Sequence, residues 1–337
     1  MRRHGAQGLP DDASEEDINV KILVLGFSVT AEKDGYVELA KANLPAGADL
    51  QIEKVGFGGM QPYHGRYLFP GLIADHAPDV VVLDHSTPAF RNFSVSREPY
   101  QNAYLSFLRE CAERGIRLAV LDMPRTDVDY TQDWVTEYNV QICAQLGLPY
   151  KRIELTEGLL RDEVHPTDAG KIVYADALMD LIPRAAAVTL PEGMAQDVPR
   201  YGAVTVDRLA GASLSRRRID RGGFVVDMVE LPAGQSLEID LGGAAKVCGL
   251  TSLMGPRTGA LRLHFGGGAL DQLSYDKFCY YERMGAALFG GQNASGAKTC
   301  SNLRVEQLPT LPDVELLKGT KDTSDRIGAL GHILIER

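Results

Sequence analysis

Residues 79–83 read Asp-Val-Val-Val-Leu, and this run decides the fold class. Consecutive apolar residues that are mostly β-branched, without polar alternation, are typical of a parallel strand covered on both faces. Two other apolar runs precede it, at 21–25 and 50–55, and each is followed by a glycine, Gly26 or Gly56. We expect all three runs to be strands of one parallel sheet.

Stretches with the apolar spacing of a helix alternate with these strands. The helices are predicted at 34–43, 99–114, 131–146 and 167–181, with a further strand at 117–121. Strands that alternate with helices predict a parallel sheet with helices on both faces, a three-layer α/β/α sandwich. Ligands of such sheets bind at the carboxyl ends of the strands, so the residues directly after each strand are the candidate site.

The pattern changes after an Ala- and Pro-containing segment at 186–200, which is interpreted as a linker between an α/β domain at 19–185 and a second domain at 201–337. Residues 1–18 form an N-terminal extension. Beyond the linker the strand candidates are 224–231, 236–241, 246–250, 261–265 and 332–335. Glycine pairs and triplets at 242–243, 266–268 and 290–291 supply the positive φ that tight turns require. This pattern predicts an all-β sandwich or jelly roll.

Composition excludes several classes of protein. The 337 residues carry a formal net charge of −10, which gives no electrostatic footprint for nucleic acid. No apolar run is long enough to cross a bilayer, and the first residues lack the apolar core of a secretory signal. Five cysteines without close pair spacing favour reduced thiols, and the lack of a C-x-x-C argues against zinc. We therefore expect a cytoplasmic protein without metal, cofactor, nucleic-acid or membrane partner.

The segment Gly26-Phe27-Ser28-Val29-Thr30 directly follows the first predicted strand. A serine at this position is exposed at the mouth of the sheet, close to backbone N–H groups of the next helix. Alternatively, Ser28 or Thr30 caps that helix. The segment is not the G-x-S-x-G elbow of α/β-hydrolases, because Thr30 stands at the last position.

The segment Asp162-Glu163-Val164-His165-Pro166 stands just before the last predicted helix of the first domain. A D-x-x-H turn presents a carboxylate and an imidazole on the same side, where the acid orients the ring and stabilises its cation. The alternatives are a surface histidine beside a capping aspartate, or a metal-binding pair. Together with Ser28, the chain order Ser, Asp, His indicates a hydrolase.

In these motifs the first 185 or so residues resemble the SGNH hydrolases, also called GDSL-like esterases. The resemblance implies a flavodoxin-like sandwich in which Ser28 is the nucleophile and Asp162 and His165 are its acid–base support. Gly56-Phe57-Gly58-Gly59 is similar to the second block of that family. This similarity implies an oxyanion hole formed by the backbone N–H groups of Ser28 and Gly59.

The sequence departs from the family pattern at two places. Phe27 stands where the acid of G-D-S is expected. In Asp84-His85-Ser86-Thr87-Pro88-Ala89, Pro88 falls near the position of the family's oxyanion asparagine, and proline has no N–H to donate. His85, Ser86 and Asn92 are candidates to replace that donor, and with His64 they are the predicted substrate contacts.

We therefore expect a serine esterase that acts on an O-acylated carbohydrate or small ester through an acyl-Ser28 intermediate. The β domain is a candidate sugar-contacting module, in which Phe278-Cys279-Tyr280-Tyr281 either packs in the core or stacks on a sugar ring. Three alternatives stay open. They are an O-acyltransferase on the same fold, a catalytically degenerate carbohydrate-binding or scaffold protein, and a metal-dependent enzyme using Asp84, His85, Asp162 and His165.

Overall fold

A five-stranded parallel sheet organises the first half of the chain in the computed structural model, which describes residues 20–89, 95–210, 214–319, 322 and 324–337. Its strands are β1 (Val20–Phe27), β2 (Leu50–Phe57), β3 (Val80–Leu83), β4 (Arg117–Asp122) and β5 (Tyr150–Arg152). They lie in the order β2-β1-β3-β4-β5, and every pair is parallel. This is the flavodoxin-like order, as the sequence predicts.

Five helices cover the two faces of this sheet. They are α1 (Tyr36–Ala42), α2 (Pro62–His76), α3 (Arg97–Glu113), α4 (Trp134–Leu146) and α5 (Asp168–Ala185). Val81 and Leu83 of β3 pack in the core with α2, α3 and α4, whereas Val80 and Val82 pack with α1 and α5. All four side chains are fully buried, which explains the unbroken apolar run at 80–83.

Two elements of this domain were missing from the sequence prediction. Helix α2 contains Gly65, Pro70 and Gly71, and each of these lowers helix propensity. Burial compensates for this loss, because α2 packs between the sheet and the second domain. The other missing element, β5, is only 3 residues long and too short to show a periodicity.

The second half of the chain forms antiparallel β structure with one short helix, α6 (Val206–Leu209). Its strands are β6 (Tyr201–Thr205), β7 (Arg216–Arg221), β8 (Phe224–Pro232), β9 (Ser236–Met254), β10 (Ala260–Phe265), β11 (Gly268–Leu273), β12 (Arg283–Leu288), β13 (Lys298–Gln307) and β14 (Ile327–Glu336). They are hydrogen-bonded in the order β11-β10-β13-β9-β14-β8-β7, with β12 paired to β9 and β6 to β14. The expected all-β second domain is thus present.

Strand β9 corrects one prediction. The candidates at 236–241 and 246–250 are a single strand, and Gly242-Gly243 forms a bulge within it rather than a hairpin turn. The φ angles of these glycines are +72° and +156°, so the strand bends where other residues would be strained. Beyond the bend β9 pairs with β14 and β12.

The β domain buries side chains on both of its faces. Leu330 and Ile333 of β14 pack in the domain's own core, whereas Leu334 belongs to the core shared with the α/β domain. At this shared core the ring centroids of Phe57 and Phe224 lie 4.9 Å apart. The two domains are therefore joined by an apolar interface.

The segment predicted as a linker runs from the end of α5 to the start of β6. The buried guanidinium of Arg109 on α3 donates hydrogen bonds to the carbonyl oxygens of Ala195 (3.2 Å) and Pro199 (3.1 Å). These bonds hold the segment against α3. Within the described part of the chain, no helix has the length and apolar character to cross a membrane.

Candidate active site

Ser28 begins the turn that follows β1, and its side chain is half-buried. The turn is closed by the N–H of Ala31, which donates to the carbonyl oxygen of Phe27 at 2.8 Å. Helix α1 begins only later, with Gly35 as its N-cap residue. The alternative that Ser28 or Thr30 caps the helix is therefore wrong.

The D-x-x-H turn brings His165 against Asp162. The carboxylate of Asp162 accepts the backbone N–H groups of Val164 at 2.9 Å and His165 at 2.7 Å. This curl of the chain places His165 Nδ1 2.9 Å from Asp162 Oδ2. The other ring nitrogen, His165 Nε2, lies 3.1 Å from Ser28 Oγ. The three predicted side chains thus form one hydrogen-bonded row.

Two opposed effects act on the carboxyl group of Asp162. Partial burial raises its pKa, but the N–H groups of His165 and Val164 and the His165 ring lower it more, and the net pKa is below the usual range. Asp162 is therefore an anion at neutral pH. The side chains of His165 and Asp162 are 28% and 40% exposed, so water reaches this row.

An ion pair that the sequence does not indicate joins the two loops of this site. Arg161 Nη2 pairs with Glu32, which follows the Ser28 turn, and Arg161 Nη1 donates to the carbonyl oxygen of Pro166 at 3.0 Å. The partners are 129 residues apart in the chain, and no local pattern predicts their meeting. The pair connects the segment around His165 to the segment around Ser28.

Gly59 lies in the exposed turn directly after β2, with φ +79°. A Cβ at this position would meet no atom within 4 Å, so the backbone conformation, not packing, favours glycine here. Gly56 differs, because a Cβ there would lie 2.3 Å from the backbone nitrogen of Ala31. The absent side chain lets the end of β2 approach the Ser28 turn closely.

The segment after β3 is buried, and the side chains of Asp84, Ser86 and Thr87 are hydrogen-bonded within the protein. Ser86 Oγ donates to a carboxylate oxygen of Asp122. Asp84 accepts the N–H of Thr87 at 3.1 Å, and Arg125 Nη1 donates to the Thr87 carbonyl oxygen at 2.7 Å. The hydroxyl of Ser86 is thus engaged with Asp122 rather than free. Asn92, another predicted contact, lies outside the described residues.

His85 and His64 are also buried. The His85 ring packs against Tyr100 and Tyr104 at centroid distances of 4.7 and 5.2 Å, and burial lowers its pKa to about 3. His64 lies in α2, where its Nδ1 accepts the N–H of Gln61 at 3.0 Å. Burial, and then the charge of Arg66, lower the pKa of His64 to about 3. Both rings have packing partners, and their contact with substrate stays a prediction.

A groove of about 1040 Å³ lies between the two domains. Ala31 and Gly58 contribute to one wall, and Arg221, Gly222 and Arg283 to the other.

As regards metal, the residues that the structure describes contain no group of three or more His, Cys, Asp or Glu side chains placed to hold an ion.

No protein-family model matches this chain, and no curated protein does. Solved structures do match. A two-domain esterase active on acetylated mannans, co-crystallised with mannopentaose, is 12% identical with a TM-score of 0.60, and the match covers 94% of this chain and 90% of that one. A putative lipolytic protein of the G-D-S-L family from Desulfitobacterium hafniense is 14% identical with a TM-score of 0.43, covering 49% of this chain and 100% of that one. An acetyl xylan esterase is 17% identical with a TM-score of 0.40, covering 48% and 100%.

The likeness to the two-domain esterase runs through both halves of the chain. At this identity it shows the fold, and it agrees with the strand order β2-β1-β3-β4-β5 and with the antiparallel second domain. The architecture expected from the sequence is thus confirmed: the chain has the fold of that two-domain esterase, an α/β sandwich joined to a β domain.

Proposed function

We propose that this protein is a serine esterase that removes an acyl group from an O-acylated carbohydrate, with Ser28 as nucleophile. The observation that carries the proposal is the hydrogen-bonded row of Ser28 Oγ, His165 Nε2, His165 Nδ1 and the Asp162 carboxylate. A nucleophile, a base within hydrogen-bond reach and a third group that orients the base are the parts that covalent catalysis needs.

Acylation begins when Ser28 Oγ attacks the carbonyl carbon of the ester and His165 Nε2 takes its proton. The Asp162 anion accepts from Nδ1–H, holds the ring and stabilises the imidazolium. The tetrahedral intermediate then collapses, the bond to the sugar oxygen breaks, and His165 returns the proton to the leaving alcohol. A water molecule, activated by the same ring, hydrolyses the acyl-Ser28 ester and releases the carboxylic acid.

The backbone N–H groups of Ser28 and Gly59 are proposed to bind the developing oxyanion. Among the described residues of the segment after β3, Pro88 has no N–H to give as a third donor, and the Ser86 hydroxyl is bonded to Asp122. Removal of one such donor from a hydrolase costs about 100- to 1,000-fold in rate. We therefore expect turnover numbers below those of esterases with three donors.

The carbohydrate assignment is supported by the whole-chain likeness to an esterase active on acetylated mannans. Hydrolysis is favoured over acyl transfer because His165 is partly open to solvent, so water competes for the acyl-enzyme. The second candidate is a catalytically degenerate carbohydrate-binding protein. Pro88 and Phe27, which depart from the family pattern, favour it.

The first test is labelling with a fluorophosphonate, read as intact-protein mass. The wild type should gain one adduct, because the reagent reacts with serines activated by a neighbouring base. Ser28→Ala and His165→Ala should gain none. Ser106→Ala is the matched control, because Ser106 is a buried serine on α3, and it should be labelled like the wild type.

Acetate release from acetylated mannan and acetylated xylan then tests the substrate class. We expect Ser28→Ala to lower the rate at least about 1,000-fold. Labelling that persists in Ser28→Ala would assign the nucleophile elsewhere. A folded wild type without any adduct would favour the degenerate binding protein.

A further inference from the structure

The interdomain groove borders the turns that carry Ser28 and Gly59, although Ser28, Gly59, Asp162 and His165 are not among its lining residues. Ala31 closes the turn that begins at Ser28, Gly58 precedes Gly59, and both residues line the groove. At about 1040 Å³ the groove reaches the upper end of the range of ligand pockets, which is roughly 300–1,000 Å³. A single sugar residue would leave much of it empty.

The opposite wall is held in place by a close backbone contact. The N–H of Gly56, near the end of β2, donates to the carbonyl oxygen of Gly222 at 2.8 Å. Gly222 and Gly223 form the tip of the β7–β8 hairpin, and a Cβ on Gly222 would lie 2.7 Å from the Gly56 oxygen. The hairpin therefore stands directly beside the carboxyl end of β2, where the proposed oxyanion donor Gly59 also lies.

Two exposed aromatic rings lie beside the arginines of this wall. Tyr281 is 40% exposed and Phe278 is 38% exposed, so part of each ring is open to a ligand. The guanidinium of Arg283, which lines the groove, lies 5.6 Å from the Tyr281 ring centre and 5.7 Å from that of Phe278. Arg221, also in the lining, lies 5.9 Å from the Tyr281 ring centre.

Arg283 is itself positioned by the fold. Arg283 pairs with Asp276, and this pair fixes the guanidinium beside the two rings. Cation–π contacts of this kind orient the rings while part of each ring stays open to solvent. An exposed ring beside guanidinium donors matches a pyranose, which has an apolar C–H face and a rim of hydroxyl groups.

We propose that the groove binds a polysaccharide chain and that Tyr281, with Phe278, is a stacking subsite for another sugar residue of the chain that carries the acyl group. This inference rests on the proposed esterase function and extends it, because it makes the β domain part of the substrate site. The lining combines charged side chains, Lys33, Lys54 and Asp34 among them, with apolar ones, and the charged groups can bond to sugar hydroxyl groups.

The test compares a polymeric with a small substrate in Tyr281→Ala. For acetylated mannan or acetylated xylan, whichever the wild type hydrolyses faster, we expect KM to rise about tenfold with kcat nearly unchanged. For 4-nitrophenyl acetate, which has no sugar residue to stack on Tyr281, kcat/KM should equal that of the wild type. Tyr281→Phe should keep the wild-type KM, and Phe278→Ala should show a smaller rise than Tyr281→Ala.

Ile172→Ala is the matched control, because Ile172 is an exposed apolar residue on α5, away from the groove lining, and its KM should not change. An unchanged polymer KM in Tyr281→Ala would overturn the inference and leave the esterase function standing. Each variant should have the unfolding temperature of the wild type, which shows that its fold is retained.

Binding without turnover separates the two proposals. Calorimetry of mannopentaose and xylopentaose with Ser28→Ala should detect binding of at least one of them, and the added Tyr281→Ala change should weaken it about tenfold. If the wild type hydrolyses no ester but this binding is observed, the esterase function fails and the subsite stands. If neither oligosaccharide binds, the subsite is wrong.

Discussion

Arg161 connects the loop that carries His165 to the loop that carries Ser28. It pairs with Glu32 and also donates to the Pro166 carbonyl oxygen. The Arg161 side chain is 47% exposed and that of Glu32 is 15% exposed, and an ion pair close to the surface contributes only about 0–1 kcal/mol to stability. Its effect on geometry is larger, because misplacing reacting groups by about 1 Å can cost on the order of 100-fold in rate.

We therefore expect Arg161→Gln to lower kcat for 4-nitrophenyl acetate about tenfold, with KM and the unfolding temperature nearly unchanged. Glu32→Gln should have the same effect, and Arg161→Lys should restore part of the rate. Arg184→Gln is the matched control, because Arg184 is 48% exposed against 47% for Arg161 and pairs with Asp180 on α5. Equal kcat values for Arg161→Gln and Arg184→Gln would contradict a positioning role.

The β7–β8 hairpin is an element of the β domain that contacts strand β2 of the parallel sheet. Gly223 has φ +81°, and a Cβ there would lie 1.9 Å from the Lys54 carbonyl oxygen. Gly223→Ala should therefore lower the free energy of unfolding for two separate reasons. The left-handed conformation costs about 1–2 kcal/mol, and the overlap with β2 costs about 1–3 kcal/mol.

Urea unfolding of Gly223→Ala and Gly234→Ala separates the cost of the overlap from the cost of the backbone conformation. Gly234, in the turn between β8 and β9, has a similar φ of +76°, but a Cβ there meets nothing within 4 Å. Gly234→Ala should thus show only the conformational cost of about 1–2 kcal/mol. Equal losses in the two variants would mean that the contact of the hairpin with β2 does not stabilise the protein.

For the molecule as a whole, three buried histidines predict sensitivity to acid. Burial lowers the pKa of His64 and His85 to about 3 and that of His332 to about 4. The folded chain keeps these rings neutral, while the unfolded chain binds protons below about pH 6.5. Their stabilising effect is therefore complete above that pH and is lost as the pH falls toward 4 and 3.

Each such histidine removes about 1.4 kcal/mol per pH unit once its unfolded form is fully protonated. We expect the unfolding temperature to fall between pH 7 and pH 5, a range above the ordinary carboxyl pKa values of about 4. In His85→Phe, which keeps an aromatic ring against Tyr100 and Tyr104, the fall should be smaller. A fall of the same size in both proteins would show that His85 is not held neutral.

Some features of this protein follow from local patterns in its sequence. The buried run at 79–83 predicts a covered parallel strand, because a strand packed on both faces has no polar alternation. The D-x-x-H segment predicts the contact of His165 with Asp162, because residues three apart in a tight turn face the same side. Alternation of helices with strands predicted the sandwich, although α2 was missed because its Gly and Pro content hides a helix that tertiary burial stabilises.

Chain composition and local spacing therefore determined the class of fold and the residues to examine. Tertiary structure alone decided the 3.1 Å approach of Ser28 Oγ to His165 Nε2, the Arg161–Glu32 pair and the groove between the domains. It also decided that His85 and His64 are buried. The physical reason is that each of these features joins residues far apart in the chain, and their distance depends on how whole elements pack, which no local pattern encodes.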